Sequence, residues 1–570
     1  MNYSKLLCGS VCTGILVSLL SCTLYPQFQS ASAKAQPQSQ NVSRATIKEA
    51  QALFAKQEWA KTAAMCEELV KTNPYNGAIW DMLGFAHHQL KHFDQAIPAF
   101  QKAAECGTNP ASELYNIACG YALKGDKEQA LVWLEKAMKA RFSDFETIRN
   151  DSEIDSLRSD PRFKKLVGEK PDGTLSRDEQ WRYDLQYLAR ELKRLHYNLY
   201  NKLDQARFEA IVAEIDRKIP TLKDHQIIVE LVCLAAAIGD GHTLFMPPTS
   251  GEGGFHKVPV QFSEFKEGIF VTAAADEYKA ALGMKLSKIG KTPVEQAYQM
   301  ISKTVSRDND IWLRMQVPRR FGVPEYLHAF GMIPSLDEVS YVLTDAQGKE
   351  LTISPKPRPF LEQVNLISVR PSGSDVTPLY LKDQENLYWY EYLKDSKTVF
   401  FQYNGVQNKP EESIAAFVKK MFAFINANEV ERLIIDLRWN GGGNNFLNKP
   451  LVQEIIKCEK INQPGKLFVI MGRNTFSAAI CGASDLQQQT QAMFVGEPSA
   501  SPPNFIGEST MTTLPFCKLR ASISSLYWQN APAMDYRVWI APDLVAEPTY
   551  EAFVTNRDLA LEAIFNYGKE

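Results

Sequence analysis

A spacing of 34 residues constrains the first part of this 570-residue chain more than any other feature. Seven positions in one segment recur, 34 residues later, in the next, and most of them keep a small or a large apolar residue. The first set is Trp80, Leu83, Gly84, His87, Ala96, Phe100 and Ala103, and the second is Leu114, Ile117, Ala118, Tyr121, Ala130, Leu134 and Ala137. Small residues let two helices approach closely, while large ones fill the space between helical hairpins. The pattern predicts a row of paired helices.

These positions resemble the tetratricopeptide repeat, W-x2-L-G-x2-Y…A-x3-F. A weaker first copy is expected at 43–76, and a helical piece at 144–166 is expected to cap the array, since a terminal repeat must cover an exposed apolar face. We therefore predict an all-α repeat domain at residues 43–168. It either presents a concave surface to a protein partner or serves as a spacer, and the sequence favours neither.

Three histidines, His87, His88 and His92, fall in the second copy. The i, i+4 spacing of His88 and His92 can bind a metal ion, but no third ligand accompanies them. We therefore expect these side chains on a solvated helix surface. No CxxC or HExxH sequence indicates a metal site elsewhere.

Residues 1–40 have the pattern of an export signal. Lys5 precedes a short apolar run, 6–20, which is too short to span a bilayer comfortably. Cleavage is expected either before Cys22, in a lipobox-like Leu-Leu-Ser-Cys, or after the Ala-Ser-Ala of 31–33. The protein is thus predicted to be periplasmic, or anchored to the cell envelope by a lipidated Cys22.

The composition is that of a soluble globular protein, with 45% apolar and 23% charged residues. The net charge is −3 and no basic run occurs, which argues against a nucleic-acid partner. Ten cysteines are too few for a disulfide scaffold. After the repeats we predict three further parts, namely a helical segment at 178–256, a β-rich module at 257–356 and an α/β core at 357–570.

Alternating strands at 258–262 and 268–273 indicate the β-rich module. Residues 282–294 resemble the G-x-x-I-x-x-I-x-G-x-x-V core of a PDZ domain, which implies capture of an extended peptide by strand addition. Residues 295–338 do not fit a compact PDZ domain and predict a helical insertion. A β-subdomain without a peptide-binding function is the alternative.

From about residue 397, strands and helices alternate, which implies a largely parallel sheet whose active edge lies at the carboxyl ends of the strands. The glycines of 441–443 would expose backbone N–H groups there, which can stabilise an oxyanion. No Lys-Ser/Thr follows them, so a P-loop is excluded. Ser477 lies at a strand-to-helix turn, as in a nucleophile elbow. His242 follows a predicted helix end, in a loop that contains Gly239 and Gly241.

The chain resembles the C-terminal-processing, or tail-specific, serine protease family in five segments that occur in the family's order: 240–243 (DGHT), 435–443 (IDLRWNGGG), 474–479 (NTFSAA), 495–498 (VGEP) and 541–543 (APD). The resemblance covers roughly 180–565. It implies a crotonase-like α/β catalytic core with an inserted PDZ-like module. It also implies that Ser477 is the nucleophile and that Ala478, with Gly441 or Gly442, supplies the oxyanion hole.

The residue that activates Ser477 differs between two branches of that family. One branch uses a Lys about 25 residues after the Ser, but no Lys lies between Ser477 and Lys518. The resemblance to the tricorn-core branch, which uses a Ser-His-acid relay, implies His242 as the general base. Asp535 is the better match for the acid that orients the imidazole, and Glu508 is the alternative.

The sequence thus predicts an exported serine endopeptidase that cleaves unfolded or C-terminal polypeptide segments through an acyl-enzyme, without a metal or a cofactor. Two other functions stay open: a catalytically inactive peptide-binding scaffold on the same fold, and an acyl hydrolase such as an esterase. Asp436 and Arg438 are expected to form a structural ion pair and to take no part in catalysis.

Overall fold

The computed structural model of the chain describes residues 44–142, 148, 150–168, 174–370 and 377–569. The export signal predicted at 1–40 lies outside these residues. The chain divides into two compact units, one that ends at Thr108 and one that begins at Asn109. Among the described residues, no helix has both the length and the apolar character that a bilayer crossing requires.

The described part of the first unit consists of two helical hairpins. Its helices are α1 (Arg44–Ala55), α2 (Trp59–Thr72), α3 (Gly77–Gln89) and α4 (Phe93–Glu105). A methyl group added to Gly84 on α3 would lie 2.6 Å from the ring of Phe100 on α4. The small residue predicted from the 34-residue spacing is therefore what lets these two helices approach.

Two of the three histidines of this unit contradict the solvated helix surface predicted for them, whereas His92 is exposed. His87 and His88 are only 7% and 8% exposed. The ring of His88 packs against Phe100, and Nε2 of His87 lies 3.3 Å from a carboxylate oxygen of Glu67. His92 lies past the end of α3, as the residue before α4. The helical spacing could not show that neighbouring side chains cover the first two.

The second unit begins with the next helical pair, α5 (Pro110–Leu123) and α6 (Lys127–Lys139). A 3₁₀ turn (Ser152–Leu157) and α7 (Pro161–Val167) follow. Phe163 of α7 joins Ala130 and Leu134 of α6 in one buried apolar cluster, so the predicted cap covers the face it was expected to cover. The helical region predicted at 43–168 therefore extends over both units.

Three helices come next, in the helical segment predicted at 178–256. They are α8 (Arg177–Leu195), α9 (Gln205–Lys218) and α10 (Asp224–Ala237). A capping box begins α8, because the Ser176 side chain accepts from the N–H of Glu179 and the Glu179 side chain accepts from the N–H of Ser176. The short strands β1 (Leu244–Met246) and β2 (His256–Lys257) follow. The loop that contains His242 thus lies between the end of α10 and β1.

The β-rich module forms a seven-stranded antiparallel sheet. Its strands are β3 (Val260–Phe265), β4 (Gly268–Ala274), β5 (Lys285–Ile289), β6 (Thr292–Pro293), β7 (Tyr341–Thr344), β8 (Glu350–Ile353) and β10 (Ile367–Ser368). Between β8 and β10 lies β9 (Arg358–Pro359), which pairs with β2 outside this sheet. The order is β10-β4-β5-β7-β8, with β3 beside β4 and β6 beside β5. Between β6 and β7 lie α11 (Val294–Ser302), α12 (Leu313–Arg320) and α13 (Pro324–Ala329). The helical insertion is confirmed, whereas the PDZ-like peptide grip stays a prediction.

The α/β core contains a six-stranded sheet in the order β11-β12-β13-β14-β15-β18. These strands are β11 (Tyr388–Leu393), β12 (Thr398–Tyr403), β13 (Arg432–Asp436), β14 (Leu467–Met471), β15 (Met493–Gly496) and β18 (Leu544–Val545). Only β11 runs antiparallel to its neighbour. The helices are α14 (Ile414–Ala427), α15 (Lys449–Lys457), α16 (Ala478–Gln489), α17 (Tyr550–Val554) and α18 (Leu559–Asn566). The predicted parallel sheet is confirmed.

A long antiparallel hairpin, β16 (Asn504–Thr513) with β17 (Arg520–Gln529), was not predicted. β1 pairs antiparallel with β17, so that Leu244 lies opposite Ser522. The chain that follows His242 is therefore fixed to an element of the α/β core.

The predicted ion pair at the end of β13 is confirmed. Nη2 of Arg438 lies 2.5 Å from the Asp436 carboxylate and 2.8 Å from that of Asp558, at the start of α18. The guanidinium lies over the ring of Tyr380, 4.0 Å from its centroid. The three charged side chains are thus paired with one another. These contacts tie the C-terminal helix to the sheet, which fits a structural and not a catalytic role.

Candidate active site

Ser477 occupies the turn between β14 and α16. Its φ of 54° and ψ of −127° are rarely adopted by residues other than glycine and cost about 1–3 kcal/mol. Neighbours hold the turn: the Thr475 hydroxyl donates to Leu437 O at 2.9 Å, and the N–H of Phe476 donates to Asn440 O at 3.1 Å. The Ser477 hydroxyl makes no capping bond to α16. It is therefore not an ordinary helix cap, although it stands at a helix start.

The imidazole of His242 lies beside that hydroxyl. Nε2 of His242 is 3.0 Å from Oγ of Ser477, although 235 residues separate them in sequence. This distance is within the reach that a general base needs to take the hydroxyl proton. When Nε2 accepts from Ser477, a neutral imidazole carries its own proton on Nδ1. The structure thus brings together the nucleophile and the base expected from the sequence.

Burial sets the protonation state of this imidazole. It lowers the pKa of His242 below its usual 6.5, because the imidazolium would lose its hydration, and the negative charge of Asp240 opposes the shift only in part. His242 is therefore neutral at pH 7 and has Nε2 available to accept a proton.

The carboxylate of Asp240 holds the loop that carries His242. Its Oδ1 accepts from the N–H groups of His242 (2.9 Å) and Thr243 (2.7 Å) and from the Ser524 hydroxyl of β17 (2.5 Å). Its Oδ2 accepts from Nε2 of His196 at 2.9 Å. Burial alone would raise the pKa of Asp240, but the hydrogen bonds from His196 and Ser524 outweigh it and hold the pKa at about 2. The carboxylate is therefore charged throughout the neutral range.

A second carboxylate, the partly buried Asp308, fixes the same loop from the helical insertion of the β-rich module. Its Oδ1 accepts from the N–H of Gly241 at 3.0 Å, and its Oδ2 accepts from the Ser501 hydroxyl at 2.6 Å. Burial raises the pKa of Asp308 to about 6. The backbone of the His242 loop is thus anchored by two carboxylates, and neither is hydrogen-bonded to the imidazole.

Four aromatic rings form a stacked column that includes the imidazole. His242 stacks on Phe476 (centroids 4.6 Å apart) and on Phe505 of β16 (5.5 Å). Phe476 in turn stacks on Trp312, from the module's helical insertion, at 4.7 Å. Stacked aromatic pairs add about 0.5–1.5 kcal/mol each beyond the burial of their area. The column fixes the plane of the imidazole in the place of a hydrogen-bonded acid.

The structure contradicts the contact predicted for the relay acid. The Asp535 carboxylate is bonded to Arg537, with Nη2 at 2.7 Å, and this bond lowers the pKa of Asp535. Glu508 of β16 is exposed, and its φ of 54° lies in the left-handed region. Nδ1 of His242 is buried and has no hydrogen-bond partner within the part of the chain that the structure describes. Asp535 pairs with Arg537 and not with His242, because Arg537 lies only two residues away in the sequence.

The glycine loop comes close to the nucleophile. A methyl group added to Gly442, whose φ is +109°, would lie 2.6 Å from Cβ of Ser477, so only glycine fits there. The N–H of Gly442 already donates to Oδ1 of Asn440 at 3.0 Å. The N–H groups of Gly441 and Ala478 have no protein acceptor among the described residues. Of the two predicted glycines, Gly441 is therefore the one whose N–H is not already engaged within the protein and remains available for an oxyanion.

Among the described residues, one trio could hold a metal ion. Ligand atoms of Cys119, Asp151 and Glu153 lie within 4.8 Å of one another. The Tyr115 hydroxyl already donates to Asp151 at 2.7 Å, and burial raises the pKa of the Cys119 thiol well above its usual value. A protonated thiol is a poor metal ligand. This trio belongs to the helical region around α5 and contributes nothing to the Ser477 site.

Sequence reasoning missed the residues that support the catalytic pair. Asp240 stands in the quoted DGHT segment, and its place next to a helix-ending glycine could have indicated a loop anchor. Asp308 and Trp312 lie in the helical insertion, and Phe505 lies in the unpredicted hairpin. These three residues have no motif of their own.

Residues 78–105 match the family model of the tetratricopeptide repeat, so this part of the chain is such a repeat. A curated relative, a chloroplastic protein of Arabidopsis thaliana, is 30% identical over 80 residues, which are 13% of this chain. The chain spans about a quarter (23%) of that relative's length.

Three solved structures resemble the chain over about two thirds of its length. Mature CPAF has a TM-score of 0.48 at 13% identity, covering 69% of this chain and 98% of its own. The photosystem II D1 C-terminal processing protease has a TM-score of 0.34 at 13% identity, covering 68% and 97%. The tricorn protease has a TM-score of 0.33 at 12% identity, covering 70% and 37%.

We predict that Trp312→Leu slows the reaction of Ser477 with a fluorophosphonate by about 2- to 10-fold, because it removes a stacked pair that keeps Phe476, and through it His242, in place. The second-order labelling rate measures this. Trp389→Leu is the matched control, since Trp389 packs on Phe400 at 5.8 Å in the sheet. Equal labelling rates for the two variants would show that the column does not position the imidazole.

The pH dependence of the same labelling reaction tests the state of His242. Because burial lowers its pKa, the imidazole stays a base to a lower pH than usual. We expect the rate to fall as the pH falls, with a midpoint below 6.5. Circular dichroism at each pH serves as the control for unfolding, and a midpoint above that usual value in the folded protein would contradict the assignment.

Proposed function

We propose that this protein is a serine endopeptidase that cleaves polypeptides through an acyl-enzyme. The observation that carries the proposal is a serine hydroxyl, held on a strained turn, 3.0 Å from Nε2 of a partly buried, neutral histidine. A strained backbone of this kind persists only where the surrounding structure enforces it, and such strain clusters at active sites.

The proposed reaction uses the groups as they stand. Nε2 of His242 takes the hydroxyl proton while Oγ of Ser477 attacks the peptide carbonyl. The N–H groups of Ala478 and Gly441, which have no acceptor among the described residues, would receive the resulting oxyanion. The imidazolium then gives its Nε2 proton to the leaving amine, and the C–N bond breaks. Water, activated by the same nitrogen, hydrolyses the acyl-enzyme and restores Ser477.

We infer that the site works as a Ser-His dyad. After proton transfer, the Nδ1–H of His242 has no acceptor among the described residues, and the negative charge of Asp240 stabilises the imidazolium only through space. A relay acid would add a charge-assisted hydrogen bond at that nitrogen. The aromatic column supplies the orientation that such an acid provides elsewhere, but it does not supply the charge.

A polypeptide is the proposed substrate, in the form of an unfolded or C-terminal segment. The five sequence segments that resemble the tail-specific proteases support this choice. The module also ends in two edge strands, β8 and β10, whose unpaired backbone groups are able to pair with an extended chain. The helical repeats either hold a protein partner or act as a spacer.

Two other functions are less well supported. An inactive scaffold on this fold would not require the strained turn at Ser477 or its contact with His242. Nothing in the described site selects a small ester over a peptide.

Export is part of the proposal and is supported by the leader of residues 1–40. We expect the mature protein to begin at a lipidated Cys22 or directly after Ala33. Mass spectrometry of its first peptide distinguishes these two ends, and an intact initiator methionine in the mature protein would exclude both.

We predict that Ser477→Ala and His242→Ala each reduce cleavage of denatured casein by about 10⁴-fold or more, because each variant removes a group that makes or breaks bonds. Cleavage is followed by the release of acid-soluble peptides. Ser525→Ala is the matched control, since its hydroxyl donates to the backbone of Glu508 and contacts neither Ser477 nor His242. Equal cleavage by the wild type and Ser477→Ala would end the peptidase proposal.

A further inference from the structure

We infer that a cleft beside His242 is a specificity pocket for an aromatic side chain of the substrate, an inference that rests on the proposed peptidase activity. The cleft has a volume of about 240 Å³. It is bounded by the first residues of β16, by the segment that follows α8 and by the two carboxylates that anchor the His242 loop.

Phe505 connects the cleft to the catalytic pair. The residue lines the cleft, and its ring stacks on His242 with the two centroids 5.5 Å apart. An extended chain advances about 3.3 Å per residue. A side chain that enters the cleft therefore belongs to a residue within about two positions of the bond that Ser477 attacks.

Part of the lining of the cleft is apolar and aromatic, while the buried His196, Asp240 and Asn504 add polar groups. Phe505, Ile506 and Pro502 line one part of it, and Tyr197 and Tyr527 line another. The two tyrosines stack on each other at 5.9 Å, although they are 46% and 40% exposed. A substrate ring beside them would bury apolar area on both partners and would add a further stacking contact.

The lining of the cleft includes a cation of the protein itself, the exposed Lys202. Nζ of Lys202 donates to the backbone carbonyl of Asp308 at 2.9 Å. Its aliphatic stem covers Gly239, where an added methyl group would lie 3.0 Å from Lys202 Cδ. A substrate lysine or arginine would meet this ammonium group, and like charges repel.

The polar groups that remain accessible lie at the rim. Asn198 and Asn201 line the cleft and are exposed, so their amides are able to bond a phenol hydroxyl or an indole N–H. A lining that combines apolar and aromatic residues with polar groups matches a ring that has one polar end. The cleft thus selects aromatic side chains over small and over basic ones.

The experiment uses the full-length mature protein and a set of internally quenched peptides. The peptides are identical except at one position, scanned through Tyr, Trp, Phe, Leu, Ala, Lys and Glu on each side of the scissile bond. We expect kcat/KM for an aromatic residue to exceed that for Ala by about 10-fold or more at one position.

Ile506→Trp fills the cleft and is expected to reduce this aromatic-to-Ala ratio to nearly one. The control is Leu526→Trp, which introduces the same side chain on the neighbouring strand, at a 46% exposed residue that does not line the cleft. It is expected to keep the ratio. If Ile506→Trp fails to fold, Tyr527→Ala removes one wall of the rim and is expected to lower the ratio as well.

Fluorophosphonate labelling of Ser477 separates the two levels of the proposal. If the wild type is labelled and cleaves the peptides with no aromatic preference, or prefers Lys, the pocket is wrong while the peptidase stands. A ratio that survives Ile506→Trp or Tyr527→Ala likewise overturns the pocket. If Ser477 is neither labelled nor required for cleavage, the peptidase fails and the pocket fails with it.

Discussion

The burial of one negative charge organises the active site. Taking a carboxylate out of water costs several kcal/mol, and only well-placed donors offset that cost. Asp240 receives four such hydrogen bonds, from His196, from two N–H groups of its own loop and from Ser524. These donors come from the end of α8, from the loop before β1 and from β17. His242 therefore reaches its place only when all three segments have packed around that charge.

The base is controlled by packing more than by charge. Aromatic stacking restrains the plane of a ring but does little to stabilise a proton on it, whereas burial opposes the charged form. A histidine held in this way is available as an acceptor across the neutral range and returns its proton readily. In exchange, the imidazolium is less stabilised than one that is bonded to a carboxylate.

The sequence predicted those parts of the fold and of the site that a local residue pattern determines. The alternation of strands and helices indicated the parallel sheet, and the motifs around Ser477, His242 and the glycine loop indicated the reacting groups, because each motif reflects a backbone shape that few residues permit. The prediction that Asp535 orients His242 was wrong, because a carboxylate pairs with a cation within its reach and Arg537 is within reach of Asp535. Trp312 and Phe505 could not be found, since stacking requires only a flat ring at the right place and leaves no pattern in the chain.

The aromatic column also has a mechanical consequence. Trp312 comes from the module's helical insertion, Phe476 from the turn of the nucleophile and Phe505 from the hairpin, so three different elements of the second unit contribute rings that stack with the imidazole. A sliding motion between the insertion and the sheet would have to move one stacked ring across its neighbour. The stacked rings thus couple the module to the catalytic sheet, and a displacement of one relative to the other would lose stacking contacts beside the imidazole.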